Sequence, residues 1–133
     1  MYTSKVREFT RACQDNLPER PRLMTREQIA FIKKMVNDEL EELEQARDIT
    51  EQADALADAV YYICDVAVRH GINLDPLFTI IHQANMNKII NGKVRRRDDG
   101  KILKPEGWQD PGPRLENEIR RQQREGAFQG KAF

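Results

Sequence analysis

The sequence predicts an all-α protein, and three observations carry this prediction. Apolar residues recur three or four positions apart through most of the first 90 residues, which is helical spacing. Capping-box signals, which begin helices, occur at Thr25 with Gln28 and at Asp48 with Glu51. No segment shows the alternation of apolar and polar residues that is typical of half-buried strands. We therefore expect helices joined by short links, without a sheet.

Four helices follow in chain order from the apolar spacing and the start signals. Their predicted ranges are residues 2–15, 25–47, 48–70 and 75–90. Because proline interrupts helices, the segment Pro18 to Pro21 is expected to be an extended connector. Gly71 is the expected left-handed residue after the third helix. Asp75 and Pro76 are typical of the first turn of the fourth helix.

The last 40 or so residues have a different composition. Residues 93–113 mix glycine, proline and charge without periodicity, and predict a long loop that is ordered by itself or by a ligand. Residues 114–125 strongly favour a helix, but they are polar on all sides. From Gly126 onward we expect a frayed end. Residues 1–133 are expected to form a single domain, with 111–133 as a C-terminal extension.

The bulk composition excludes several classes of protein. The chain has 133 residues, of which 39% are hydrophobic and 33% charged; this suffices for one domain, and a helical core this polar leaves room for a partner subunit to complete it. Lys and Arg together number 22, as do Asp and Glu, so the overall charge implies neither nucleic acid nor an anionic membrane as a partner. The two cysteines lack metal-ligand spacing, and no apolar run approaches the roughly 20 residues of a membrane span. We expect a cytoplasmic protein.

Glu39 occupies a position at which a helix normally buries an apolar side chain. On a helix of 3.6 residues per turn, its neighbours on the same stripe are Ile32, Met35, Val36, Leu43 and Ala46. Burying an unpaired charge is costly, so this carboxyl group must be protonated, paired with a cation or bound to a metal.

The next helix supplies further acids and no cation between residues 48 and 68. Its acids are Asp48, Glu51, Asp54, Asp58 and Asp65. If the two helices form an antiparallel hairpin that turns near residue 48, Glu42 lies opposite Asp54, and Glu39 lies opposite Asp58. Four carboxylates then converge on one patch. Such hard oxygen ligands indicate a site for Mg²⁺ or Mn²⁺.

Other interpretations of the acidic residues have different consequences. Asp38, Glu41 and Glu44 are best explained as an ordinary solvated face, and Asp54 and Asp58 taken alone could also face solvent. A di-iron centre would need a glutamate three residues before each histidine. Ala67 and Thr79 stand in those positions, which disfavours di-iron chemistry, and neither histidine is required as a catalyst.

The segment Asp38-Glu39-Leu40-Glu41-Glu42-Leu43 resembles the Glu-Glu-x-x-Glu-Leu signature of the MazG-like all-α nucleoside triphosphate pyrophosphohydrolases. This superfamily also contains dimeric dUTPases and phosphoribosyl-ATP pyrophosphohydrolases. The resemblance covers a core of about residues 5–110. The segment from Asp54 to Tyr61 is similar to the second acidic motif of the superfamily, usually Glu-x-x-Asp before an apolar half-helix that ends in glycine.

This second motif departs from the superfamily pattern. A literal Glu-x-x-Asp occurs at Glu51 and Asp54, but the spacing to the apolar half-helix places Asp58 at the aspartate position and Ala55 at the glutamate position. The hairpin geometry favours Asp54 and Asp58 as ligands. Glu51 is then a weaker ligand that acts through water.

Two later segments resemble a phage and bacterial branch of the superfamily. They are His82-x-x-Asn85-Met86-x-Lys88, and Asp99-Gly100-Lys101 followed by Lys104-Pro105-x-Gly107-Trp108. The resemblance implies that Asn85, Lys88 and Lys104 contact phosphate, which fits a lysine clamp on a triphosphate. Trp108 either stacks on a base or pins the loop to the core, and we favour pinning. Tyr61 and Tyr62 are expected to pack in the core.

The resemblance as a whole implies a four-helix MazG-like bundle that forms a homodimer or homotetramer. It implies Mg²⁺-dependent, or Mn²⁺-dependent, hydrolysis of a nucleoside triphosphate between its α and β phosphates, in nucleotide-pool housecleaning. The catalytic, metal-holding residues would be Glu39, Glu42, Asp54 and Asp58, with Glu51 as a further ligand. Two alternatives are a helical regulatory module that binds metal or nucleotide without turnover, and a phosphoribosyl-ATP pyrophosphohydrolase.

Overall fold

The protein consists of five α-helices in a computed structural model that describes residues 1–14 and 16–128. The helices are α1 (Tyr2–Cys13), α2 (Arg26–Gln45), α3 (Ile49–Arg69), α4 (Leu74–Met86) and α5 (Gly112–Glu125). The described residues contain no strand, only isolated β-bridges that join Ile90 to Lys93 and Arg96 to Ile102. The predicted all-α class is therefore confirmed, with a four-helix core and an added C-terminal helix. Asp15, the last residue predicted for the first helix, lies outside the described residues.

The helix ends are fixed by the residues that the sequence singles out. At the start of α2, Gln28 N donates to Thr25 Oγ1 (3.1 Å) and Thr25 N donates to Gln28 Oε1 (2.8 Å), so this capping box is complete. At the start of α3, Glu51 N donates to Asp48 Oδ1 (2.8 Å), but the Glu51 carboxylate accepts from Arg47 N (2.8 Å) instead of completing the box.

The α2–α3 hairpin forms the main helix pair, and α1 crosses α3. The buried apolar side chains are mostly small: Val6, Ala55, Ala59, Cys64, Ala67, Val68, Ala84 and Ala127. Many larger apolar side chains lie at the surface of the single chain, and Phe78 on α4 is 63% exposed. None of the helices in the described ranges has the length and apolar character needed to cross a membrane.

Asp75 joins the start of α1 to the start of α4. Its carboxylate accepts hydrogen bonds from Thr3 N (2.9 Å), Ser4 N (3.3 Å) and the Ser4 hydroxyl (2.7 Å). Burial by itself raises the pKa of Asp75, but the hydrogen bonds from Ser4 and Thr3 outweigh it and leave the pKa below its usual value. The carboxylate therefore acts as the N-cap that α1 lacks in its own sequence.

The C-terminal segment is docked against the core through one fully buried side chain. Gln122 on α5 is 0% exposed; its Nε2 donates to Asn73 O (3.0 Å) and its Oε1 accepts from Asn73 N (3.0 Å). Asn73 Nδ2 donates to Ala127 O (3.2 Å), and Ala127 N donates to Glu19 O (2.8 Å). The expected fraying from Gly126 is therefore wrong at Ala127, because these hydrogen bonds hold it to distant parts of the chain, and the guanidinium of Arg7 lies 4.5 Å from the centroid of the next residue, Phe128. Residues 129–133 lie outside the described part of the chain.

The long connection between α4 and α5 is ordered by its own hydrogen bonds. Arg97 N donates to Lys101 O (2.8 Å) and Leu103 N donates to Arg95 O (2.7 Å), which folds the basic stretch back on itself. At its far end, Trp108 Nε1 donates to Ala84 O (2.7 Å) on α4. The connection is thus attached to α4 near the end of that helix.

Candidate metal centre

Three carboxylates from the two helices of the hairpin come together at one point. Oxygen atoms of Glu39 and Glu42 on α2 and of Asp58 on α3 all lie within 4.8 Å of one another. Glu39 and Glu42 are three residues apart and so share a helix face, and the antiparallel hairpin brings Asp58 opposite to them. Within the described ranges, this is the one group of three metal-ligand side chains with such close spacing.

Glu39 is the buried member of this acidic cluster, with 8% of its surface exposed. Its Oε2 is buried and has no hydrogen-bond partner among the described residues. Burial is the largest cause that raises the pKa of Glu39, to about 7; a hydrogen bond with Glu42 and the negative charges of Glu42, Asp58 and Asp54 add to it. A cation in this place would relieve the repulsion and favour the ionised carboxylates.

Asp54 and Glu51, the other two predicted ligands, have different positions. Asp54 is exposed and close enough for its charge to act on Glu39, but its carboxylate is not part of the closely spaced group. Glu51 accepts hydrogen bonds from the backbone N–H and the guanidinium (3.1 Å) of Arg47, which hold its pKa below the usual value. The structure thus brings three of the five predicted carboxylates together, keeps Asp54 beside them and engages Glu51 at the start of α3.

A cavity of about 320 Å³ opens beside the acidic cluster. Glu39 and Asp58 line one part of it, and the rest is lined by Phe9, Cys13, Tyr61, Tyr62, Asp65 and Arg69. The rings of Phe9 and Tyr61 meet edge to face, with centroids 6.2 Å apart. Tyr61 is 45% exposed, so the expected core position is wrong for this residue.

Sequence reasoning missed the aromatic lining of this cavity, although a signal for it existed. Tyr62 and Asp65 lie four and seven positions after Asp58, which places all three on one face of α3. Asp65 is fixed there by the Thr10 hydroxyl (2.7 Å) and by Arg69 Nε (2.8 Å). The face that carries the acidic cluster therefore continues directly into the cavity wall.

The four residues that the resemblance assigns to phosphate and nucleotide also lie together. Lys88 Nζ donates to Asn85 Oδ1 (3.1 Å) and lies 5.3 Å from the centroid of the Trp108 ring. Lys104 Nζ lies 5.0 Å from the same centroid. Because Trp108 donates to Ala84 O, its position fits the loop-pinning interpretation better than stacking on a base.

We call these four residues the cationic group. Within one chain, this group lies on other elements than the acidic cluster does. Helix α4, which carries Asn85, packs against α1 and α5, whereas the acidic cluster lies on α2 and α3. None of Asn85, Lys88, Lys104 and Trp108 lines the cavity beside the acidic cluster.

Comparison with known proteins supports the assignment of the core helices. The model of the phosphoribosyl-ATP pyrophosphohydrolase family matches residues 6–85, which is more than half of the chain and contains the whole acidic cluster. No curated protein sequence matches the chain significantly. On the family match and the all-α fold, the chain belongs to the phosphoribosyl-ATP pyrophosphohydrolase family, within the MazG-like all-α pyrophosphohydrolase superfamily.

Proposed function

We propose that the protein is a Mg²⁺-dependent nucleoside triphosphate pyrophosphohydrolase. It would cleave ribo- or deoxyribonucleoside triphosphates between the α and β phosphates, releasing a monophosphate and pyrophosphate, in nucleotide-pool housecleaning. The observation that carries this proposal is the acidic cluster of Glu39, Glu42 and Asp58 at the wall of an aromatic-lined cavity. Family membership supports the reaction class, since it indicates a hydrolase that acts on phosphoric anhydrides.

The acidic cluster fits a small divalent cation. All three side chains offer hard oxygen atoms, which Mg²⁺ and Mn²⁺ prefer. The buried and unpartnered Oε2 of Glu39 is an atom that a cation would satisfy. Bound Mg²⁺ supplies positive charge for the phosphate oxygens of the substrate.

The residues of the chain then hold and orient the reacting groups. Glu39, Glu42 and Asp58 would hold the cation, and Asp54 would complete the acidic set as a further ligand or as the acceptor of the water proton. Phe9 of α1 adds apolar surface to the same cavity.

We propose further that a second copy of the chain completes the site, in a homodimer or homotetramer. The acidic cluster lies on α2 and α3, whereas the cationic group lies at the end of α4 and in the connection after it, and a triphosphate needs both. Large apolar side chains are exposed on α3 and α4, among them Val60, Ile63, Phe78 and Ile81. Such a surface is typical of a subunit interface.

Mixing two inactive variants tests this shared site. E39Q removes the acidic cluster and K88A removes the cationic group, so each variant alone should be nearly inactive. If the site is shared between copies, subunit exchange in a mixture should restore part of the activity. A mixture of E39Q with E42Q is the matched control and should stay inactive, because both changes lie in the same cluster. Absence of recovery in the E39Q and K88A mixture would contradict the shared site.

The reaction itself is tested with a panel of canonical and modified nucleoside triphosphates, with Mg²⁺ or Mn²⁺ and with EDTA. Pyrophosphate is measured separately from orthophosphate, and E39Q serves as the control. Metal-dependent release of pyrophosphate supports the proposal. Binding of metal and nucleotide without turnover would point instead to a regulatory module, which Ala55 at the superfamily glutamate position would favour.

Phosphoribosyl-ATP is a second candidate substrate, because the matching family model carries that name. The cleavage is the same, and only the group attached to the adenine differs. Adding phosphoribosyl-ATP to the panel decides between the two, by comparison of kcat/KM with that for the best simple triphosphate.

A further inference from the structure

A second cavity, of about 370 Å³, lies next to the cavity beside the acidic cluster. It lies between the first half of α2 and the second half of α3, and its walls include Phe31, Ile32, Tyr62, Asp65, Arg69 and His70. Tyr62, Asp65 and Arg69 line both cavities. The two cavities therefore adjoin at these three side chains, and together they define a path along α3 from Asp58 to His70.

His70 closes this path with an unsatisfied polar atom. The residue is 5% exposed, and its Nδ1 lies 2.7 Å from Val66 O. A backbone carbonyl can only accept, so Nδ1 carries the proton of this hydrogen bond. The other ring nitrogen, Nε2, is buried and has no partner in the described part of the chain. In the neutral imidazole this atom is an acceptor, and a buried acceptor without a donor costs free energy.

The residue is held firmly by its surroundings. Arg22 N donates to His70 O (2.9 Å), which ties the connector before α2 to the end of α3. Gly71 follows with a φ of +73°, and a side chain at this position would collide with the carbonyl of Arg20. The backbone of His70 is therefore fixed at both ends, and the imidazole itself is held by its hydrogen bond to Val66 O.

The length of the path matches a nucleotide. Asp58 and His70 are twelve positions apart, or about 18 Å along the helix axis. With the phosphates at the acidic cluster, the sugar would lie near Tyr62 and Asp65. The far edge of the base would then reach His70.

We propose that this second cavity takes the base of the nucleotide and that His70 is a specificity-determining residue. Its Nε2 accepts a hydrogen bond from an amino or ring N–H group at the far edge of the base. Phe31 and Ile32 supply apolar walls for the ring, and Arg69, held by Asp65 and Gln14, borders the same space. The inference rests on the proposed function for the identity of the ligand.

A pairwise comparison of substrates with and without the N–H donor tests this role. Each nucleotide is compared with an analogue that lacks the donor: purine for adenine, 2-pyrimidinone for cytosine, N3-methyluracil for uracil and N1-methylhypoxanthine for guanine. For the preferred base, wild-type protein should favour the donor-bearing substrate about three- to tenfold in kcat/KM. In H70F this preference should vanish, because the ring of phenylalanine has no acceptor for the N–H group. An unchanged preference in H70F would overturn the proposal.

A second measurement needs neither turnover nor a variant that folds. Protein with ¹⁵N-labelled histidine is titrated with nucleoside monophosphates, and the Nε2 resonance of His70 is followed; exposed His82 is the internal control. A shift of His70 alone supports the inference, even if no pyrophosphate is ever released. Turnover of nucleotides with an unmoved His70 resonance would overturn it and leave the proposed function intact.

Discussion

Glu39 lies on a helix stripe of apolar residues and within 4.8 Å of two other carboxylates, so its ionisation is linked to folding. Its pKa of about 7 in the folded protein exceeds the ordinary 4.5, because of burial first and then of Glu42, Asp58 and Asp54. The folded state therefore holds this proton more tightly than the unfolded state. The resulting stability is complete below about pH 4.5 and is lost as the pH rises through about 7.

We expect E39Q to remove this pH dependence. With EDTA present, the Tm of wild-type protein should fall between about pH 4.5 and about pH 7 by more than the Tm of E39Q does. Mg²⁺ should raise the Tm of wild-type protein at neutral pH and have little effect on E39Q, because a bound cation stabilises the folded state. kcat/KM should fall about a hundredfold or more. Parallel pH curves for the two proteins would contradict this account of Glu39.

The pKa of Asp75 is shifted in the opposite direction to that of Glu39. Its carboxylate caps helix α1, although Asp75 itself lies in the first turn of α4. Burial raises its pKa, but the hydrogen bonds from Ser4 and Thr3 lower it by a larger amount, so the resulting pKa is below 3.8. Its contribution to stability is complete above about pH 3.8 and is lost as the pH falls through the folded-state value.

We expect D75N to lower the free energy of unfolding at neutral pH. The variant should also lack the part of acid unfolding that is due to protonation of Asp75. Urea unfolding at several pH values measures both effects, and the difference between the proteins should shrink as the pH falls below about 3.8. D98N is the matched control, because Asp98 is exposed in the connection between α4 and α5. A difference that stays constant with pH would exclude the capping role.

Helix α5 depends on a hydrogen-bonded side chain for its attachment to the core. Replacing Gln122 by Leu leaves Asn73 N and Asn73 O without their partners in a buried place. We expect Q122L to cost about 2 kcal/mol in the free energy of unfolding. Q123L, a change at an exposed neighbour, should stay within about 0.5 kcal/mol. Equal unfolding midpoints for the two variants would show that the buried amide does not attach α5.

These elements also show how far the sequence could predict the structure. The capping box of Thr25 and Gln28 is a local signal, and so is the left-handed Gly71 after α3. Both have the expected role. Glu39, Glu42 and Asp58 could be brought together in advance, because helical periodicity and one hairpin fix their register. The docking of Ala127 on Glu19 and the cavity that ends at His70 join residues far apart in the chain. No periodicity in a single segment encodes such contacts.

At the scale of the whole molecule, the single chain leaves much apolar surface uncovered. Its buried core consists mainly of alanine and other small side chains, whereas Phe78 and Ile81 on α4 are exposed. Burying apolar area contributes about 25 cal/mol per Å², so association of copies through such faces is favourable.

We expect the double variant F78E/I81E to dissociate the assembly. Light scattering after size-exclusion chromatography should show a smaller species than the wild-type protein, because two buried charges disfavour an apolar interface. Mg²⁺ should still bind, since its three closely spaced ligands belong to one chain, but turnover should be lost. I102E, at another partly exposed apolar residue, is the control and should change neither property. A monomeric wild-type protein with full activity would contradict the shared site.

Trp108 is the only tryptophan of the chain, and it lies between the end of α4 and two lysines. Its indole fluorescence therefore reports on one place alone, without any label. When a triphosphate draws Lys88 and Lys104 away from the ring, the intensity or the wavelength of its emission should change. The protein thus carries a built-in optical reporter, with which nucleotide binding can be timed by stopped flow in the EDTA-treated enzyme, before any bond is broken.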